Sequence, residues 1–320
     1  MRNRPFLLPI MAALLGAAAF VQIRTRAAER VHRLRGGFLD VDGVRLHYVE
    51  RGSGTPLVLV HGLGSMIDDF LLSGLFARAA EHYRVIAIDR PGYGHSSRPH
   101  RRRWTPFAQA QLLHAALRRL DIDRPVLFGH SFGASVALAY ALRYPVERLV
   151  LASGIYYPSV RLDAPLLVPP AIPVLGTVLR YTVSPLLGRL AWPAWLRLIF
   201  APAPVPRRFR PFPTWLALRP DTLRAIGEDA AYLLPAVHVM SPHYKRLRVP
   251  AAIIAGADDR YVSPHAHAER LHEEVAGSEL VLVPGAGHMV HHVAPRAVMQ
   301  AISGPSASSS ADTPRAALNR

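Results

Sequence analysis

An α/β architecture, with a mostly parallel sheet covered by helices on both faces, is the fold class this sequence predicts. Three observations predict it. Short continuous apolar runs recur along the chain and end in glycine-containing loops, as expected of strands buried on both faces. Segments with helical spacing of apolar residues lie between them, the alternation that produces parallel pairing. One run, from Val126, ends in Gly129-His130-Ser131-Phe132-Gly133 and passes at once into an alanine-rich helix former, a strand, sharp turn and helix in immediate succession.

Taken in order, residues 37–42 and 44–50 read as two strands joined at Asp42-Gly43, a hairpin signal. Residues 57–60 (Leu-Val-Leu-Val) form a buried strand ending in His61-Gly62-Leu63-Gly64. Residues 84–88 form another, ending in Asp89-Arg90-Pro91-Gly92-Tyr93-Gly94-His95-Ser96. Between Thr105 and Leu120, Phe107, Leu112, Leu113, Ala116, Leu117 and Leu120 fall largely on one helical face. The strand ending at the serine turn comes next, then strands at 148–152, 251–255 and 280–283. Residues 303–320 are a Ser/Ala/Pro-rich stretch expected to be disordered.

Composition narrows the function. The chain has 320 residues, of which 50% are hydrophobic, enough for a large core and one or two domains. There is no cysteine, which excludes disulfides, thiolate catalysis and cysteine-ligated metals. The formal charge of +16 raises nucleic acid or an anionic membrane as partner. The basic residues are almost all arginine and are scattered, with no RNA- or DNA-binding pattern, so nucleic acid is not expected. The one dense run, His100-Arg101-Arg102-Arg103, reads as a solvated loop.

From Pro5 to Ile23 the chain is uncharged and mostly apolar, with Arg2 and Arg4 before it and Arg24 and Arg26 after it. Its length as a helix, about 28 Å at 1.5 Å per residue, is close to a hydrocarbon thickness. Residues 1–30 are therefore expected to stand outside the fold as an uncleaved membrane anchor. A cleaved signal, with Ala17-Ala18-Ala19 offering small residues to a peptidase, and a buried helix are the alternatives. The excess of arginine after the run (Arg24, Arg26, Arg30, Arg33, Arg35) favours a cytoplasmic catalytic domain.

The serine turn carries a chemical expectation of its own. A strained turn holds Ser131 out at the end of its strand as a nucleophile, the glycines let strand and helix pass close together, and the first N–H groups of the helix lack internal partners. A serine hydroxyl needs a base to take its proton, and the base needs a third group to fix its tautomer. Sixteen histidines and several acids are available for these roles, so residue type alone does not choose among them.

His61-Gly62-Leu63-Gly64, Asp89 to Ser96, Gly129 to Gly133, Gly256-Ala257-Asp258-Asp259 and Gly285-Ala286-Gly287-His288 occur in the order seen in the α/β-hydrolase superfamily. The chain resembles that superfamily over residues 37–301, apart from an insertion. The resemblance implies the α/β-hydrolase fold with a catalytic triad of Ser131, Asp259 and His288, and Asp258 stands as the direct rival of Asp259. It further implies an oxyanion hole made by the backbone N–H groups of Leu63 and Phe132, and no cofactor or metal. His291 and His292 do not match the Gly-x-Gly-His pattern, and His61, Asp89 and His95 read as structural.

Serine at the turn departs from the haloalkane dehalogenases and epoxide hydrolases of the superfamily, which use a carboxylate nucleophile. Esterases and lipases, carbon–carbon bond hydrolases, cofactor-free perhydrolases and acyltransferases remain. The insertion at 155–245 holds more than half of the prolines and Trp192, Trp195 and Trp215, and family members place a helical cap there. The domains expected are thus 1–30, a core at 37–154 and 246–302, a cap at 155–245 and the tail. The expected activity is hydrolysis of a lipophilic, monoacylglycerol-like carboxylic ester by a membrane-tethered enzyme. Hydrolysis of a carbon–carbon bond is the alternative, and a non-catalytic ligand receptor is the reading outside enzymes.

Overall fold

In the computed structural model, which describes residues 7–304, a single eight-stranded sheet forms the centre. Its strands are β1 (Gly37–Val41), β2 (Val44–Arg51), β3 (Pro56–Val60), β4 (Arg84–Ile88), β5 (Val126–His130), β6 (Arg148–Ala152), β7 (Ala251–Gly256) and β8 (Glu279–Val283), in the order β1-β2-β4-β3-β5-β6-β7-β8. β1 and β2 form the predicted hairpin. Asp42 and Gly43 have φ of 49° and 74°, the two positive values that a two-residue turn needs to match strand twist. β2 meets β4 antiparallel, and every pairing from β4 to β8 is parallel.

Parallel strands require crossovers, and these cover both faces. Helices α2 (Ile67–Ser73), α3 (Leu75–Ala79) and the C-terminal α13 (Pro295–Ser303) pack on one side. Helices α4 (Pro106–Arg119) and α5 (Phe132–Ala141) pack on the other. The strands explain the division. Val58, Val60, Leu127, Leu149 and Leu151 face α4 and α5, while their neighbours Leu57, Leu59, Phe128 and Val150 face α2 and α3. Thr105 accepts a hydrogen bond from Ala108 N–H at 3.2 Å and so caps α4 at its predicted start.

Between β6 and β7 lies the cap: α6 (Ala164–Leu167), α7 (Leu175–Tyr181), α8 (Val183–Phe200), α9 (Thr214–Ala217) and α10 (Pro220–Met240). It closes over the carboxyl ends of the strands through Phe200, Phe209, Phe212 and Leu216, which pack with Met66 and Met289 of the core. After the cap, α11 (Arg270–Glu274) precedes β8 and α12 (Val290–Val293) follows it. The tail expected at 303–320 lies outside the described residues from 305 onward, and Ser303 ends α13.

Helix α1 (Leu7–Val31) departs from the expected separation between N-terminal segment and fold. Its first residues, Leu8 to Ala13, are exposed, yet Val21 and Thr25 are buried. Phe20 stacks edge-on against Trp215 of α9 at 5.9 Å, and the Arg24 guanidinium lies 5.3 Å from the same ring. Beyond them Glu29 pairs with Arg219 at 3.2 Å, and His32 bonds to Asp68 at 3.0 Å. The physical reason is a stripe of small and apolar residues, Leu14, Ala18, Val21, Thr25 and Ala28, at spacings that share one helical face. The segment is apolar enough to cross a membrane and also docks on the cap by its second half.

Candidate active site

The strand order reverses at β3, which has β4 on one side and β5 on the other. Loops that leave the carboxyl ends at such a switch diverge and open a crevice. The loops here carry His61-Gly62-Leu63 from β3 and Ser131 from β5.

Ser131 sits between β5 and α5 with φ 54° and ψ −121°, a strained conformation for a residue with a side chain. The turn is affordable only with glycine on either side. A Cβ on Gly129 would meet the Gly133 carbonyl oxygen at 2.4 Å, and one on Gly133 would meet the Val60 carbonyl oxygen at 2.2 Å. Ser131 N–H donates to the Ala152 carbonyl at 2.8 Å and fixes the turn against β6.

The structure brings together the three side chains named from sequence. Ser131 Oγ lies 3.0 Å from His288 Nε2, and His288 Nδ1 lies 2.8 Å from Asp259 Oδ2. All three residues are buried. The other oxygen of Asp259 accepts from the N–H groups of Tyr261 at 2.8 Å and Val262 at 2.9 Å. A carboxylate that accepts on both oxygens imposes the tautomer: Nδ1–H donates to Asp259, and Nε2 is left to accept from the serine hydroxyl. Asp258 faces elsewhere, taking Gly285 N–H at 2.9 Å and so tying the β7 loop to the loop that carries His288.

Leu63 and Ser131 line the same cavity, and a Cβ on Gly62 would lie 3.0 Å from Ser131 Cβ, so the β3 loop rests against the nucleophile's own side chain. Neither Leu63 N–H nor Phe132 N–H donates to a protein acceptor among the described residues. Donors in this position can stabilise an oxyanion on a carbonyl attacked by Ser131.

His61, Asp89 and His95 support the loops, as expected. His61 Nδ1–H donates to the Gly62 carbonyl at 2.8 Å, and Nε2 accepts from Arg90 N–H at 2.9 Å. Burial, and then the Arg90 charge, push its pKa down to about 4, so it is neutral near pH 7. Asp89 accepts from Ile67 N–H at 2.9 Å, His95 N–H at 3.0 Å and His47 at 2.6 Å. These bonds outweigh the cost of burial and hold its carboxyl below the usual range.

Two networks escaped the sequence reading. Arg90 donates to the carbonyls of His61 at 2.9 Å and Gly62 at 3.0 Å, and to Asp229 of α10 at 2.6 Å. Arg98 at 2.9 Å, Gln109 at 3.0 Å and Tyr93 at 2.9 Å complete the shell of Asp229, which is fully buried. One arginine thus joins the β3 loop to the cap. Behind Ser131, Asp69 accepts from Ser65 at 3.0 Å and lies 2.6 Å from His292 and 3.2 Å from His291. Its burial is outweighed by the two imidazoles, which hold its carboxyl well below the usual range. Asp69, His130 and His291 bring ligand atoms within 4.8 Å of one another and are the residues that could hold a cation. Arg90 and Tyr93 stand in the Asp89 to Ser96 motif and His291 and His292 follow His288, but nothing in the sequence pairs them with Asp229 or Asp69.

The cavity over Ser131 is walled by Trp192, Trp195, Leu196 and Ile199 of α8 together with Phe212 and Met289. Its walls are apolar, and its polar groups converge at the Ser131 end. Such a site can take an apolar group and attack a polar bond at its base.

Known proteins are similar to this chain over most of its length. A 2-hydroxy-6-oxo-2,4-heptadienoate hydrolase of Pseudomonas putida is 30% identical over 265 residues, 78% of this chain and 87% of its own. An esterase from Exiguobacterium antarcticum superposes with a TM-score of 0.69 at 22% identity, over 84% of this chain and 98% of its own. A bacterial membrane phospholipase A has a TM-score of 0.65 at 22% identity, over 95% of this chain and all of its own. The sequence model of the alpha/beta hydrolase family matches residues 57–301, and the chain belongs to that family.

Proposed function

We propose that this hydrolase cleaves a lipophilic carboxylic ester through an acyl-serine intermediate, at a membrane that α1 anchors. The observation that carries the reading is the hydrogen-bonded line from Ser131 through His288 to Asp259 at the base of an apolar cavity. His288 Nε2 takes the hydroxyl proton as Oγ attacks the ester carbonyl, and Asp259 stabilises the imidazolium that forms. The negative charge on the carbonyl oxygen falls to the N–H groups of Leu63 and Phe132. Collapse expels the alcohol, which takes the proton from His288, and water then repeats the cycle to release the acid. Walls of Trp192, Trp195, Ile199 and Met289 suit an acyl chain.

Carbon–carbon bond hydrolysis of a vinylogous diketone is the second reading, favoured by the Pseudomonas putida relative. A panel of p-nitrophenyl esters of rising chain length, run beside a 2-hydroxy-6-oxo-dienoate, separates the two. The ester reading expects turnover of the esters with an optimum at medium or long chains. Faster loss of the dienoate chromophore than of any ester would replace it by the carbon–carbon reading. Turnover of neither would leave a ligand receptor.

A further inference from the structure

The two halves of helix α8 carry apolar stripes that point to opposite sides. Trp192, Trp195, Leu196 and Ile199 follow the i, i+3, i+4, i+7 spacing of one face and wall the cavity over Ser131. Val183, Leu186, Leu187 and Leu190 follow the same spacing one segment earlier. Val183 and Trp192 are nine residues apart, about two and a half turns of helix, which turns the second stripe to the opposite side. That outer stripe is only partly covered by protein: Leu187 is 59% exposed and Leu190 80%, while Val183 and Leu186 are 38% and 36% exposed. Val174, Leu175 and Val178, at and beside α7, are likewise exposed. Contiguous exposed leucines and valines on this scale mark a surface that is covered in use.

Three observations identify the cover. Both α7 and α8 pack against α1, so the exposed stripe adjoins the helix that can cross a membrane. The α1 side chains that dock on the cap include Phe20 and Val21, two or three residues from the end of the apolar run at Ile23. At 1.5 Å per residue the docked cap surface would then sit within about 5 Å of the hydrocarbon boundary. Exposed arginines lie along the same elements, Arg24, Arg26 and Arg30 on α1 and Arg189 and Arg197 on α8. A bilayer interface with anionic headgroups offers apolar depth beside negative charge, which matches this distribution.

We propose that the outer face of α7 and α8 lies in the membrane interface, so that the helix roofing the active-site cavity is itself the lipid contact and ester substrate enters from the bilayer. This rests on the reading of α1 as an anchor and of the site as an ester hydrolase. Lipid contact would place the inner face of the same helix, with Trp192 and Trp195, directly between the acyl-chain layer and Ser131.

The cysteine-free chain makes the test direct. Full-length Leu187→Cys, Leu190→Cys, Leu15→Cys and Asp123→Cys proteins, each carrying an environment-sensitive fluorophore, are reconstituted into phosphatidylcholine–phosphatidylglycerol vesicles with or without a lipid nitroxide. Asp123 is exposed in the loop before β5, at the amino-terminal edge of the sheet. The nitroxide should quench the labels at 187 and 190 at least twofold and leave the label at 123 unchanged. Quenching at 15 with none at 187 and 190 overturns the cap contact and keeps the anchor. No quenching at 15, 187 or 190 overturns both. As a second measurement, the full-length double variant Leu187→Glu/Leu190→Glu should hydrolyse a short soluble ester at the native rate and a vesicle-borne long-chain ester at least tenfold more slowly. Equal loss on both substrates, or on neither, overturns the proposed entry route.

Discussion

At the scale of single residues, the proposed chemistry depends on which carboxylate serves His288. The two adjacent acids are divided by backbone geometry: Asp259 turns into the site and Asp258 turns to Gly285 N–H. Asp259→Asn keeps the shape but offers an amide that cannot stabilise an imidazolium, and kcat should fall by about 10⁴. Asp258→Asn loses one loop bond and should stay within about tenfold of the native rate. Equal losses in steady-state assays would put both acids in the loop and neither in the chemistry. Ser131→Ala should lower kcat by on the order of 10⁶ and abolish labelling by a fluorophosphonate probe. Labelling of the alanine variant would mean a different serine reacts.

At the scale of elements, the strands and the turn at Ser131 were legible because their causes are local. Continuous apolar runs make doubly covered strands, and the glycines at 129 and 133 are demanded by contacts of their own turn. The joint between cap and core was not legible. Arg90 and Asp229 are 139 residues apart in the chain and meet only because α10 lies across the β3 loop. The docking of α1 was hidden for a related reason: its stripe of Ala, Val and Thr is lost within an apolar run that suits lipid equally well. The joint makes its own prediction. Removing one partner of a buried ion pair leaves the other charge uncompensated, at a cost of roughly 3–5 kcal/mol. Asp229→Ala leaves Arg90 with no carboxylate partner and Arg98 with Glu228 alone, so urea unfolding should show a loss of that order. Glu228→Ala leaves Arg98 its bond to Asp229 and should cost clearly less than Asp229→Ala. Similar losses in the two variants would show that the buried network does not hold the cap.

At the scale of the whole molecule, the net charge of +16 and the buried histidines set the response to acid. His61 and His267 are each pushed down to about 4, by burial first and then by Arg90 and Arg161 respectively. Burial also lowers His292, and burial reinforced by His291 holds His130 well below the usual value. In the unfolded chain each returns to about 6.5. Between pH 6.5 and pH 4 the unfolded state therefore binds more protons than the native state, and stability falls as pH falls through that window. His47 works in the opposite sense. Its burial opposes the charged form, but Asp89 prevails and raises it, so its contribution is full below pH 6.5 and is lost as pH rises through its folded value. His265 is also raised, by Glu269, and burial also lowers His95 and His114, so two raised histidines offset only part of six lowered ones. For His61 alone the difference of 2.5 pH units between 6.5 and about 4 corresponds to about 3 kcal/mol. Urea midpoints of the detergent-solubilised protein should thus drop steeply from pH 7 to pH 4.5. A midpoint that stays level or rises across that interval would mean that these rings are charged in the native state, and the neutral His61 that shapes the β3 loop would have to be abandoned.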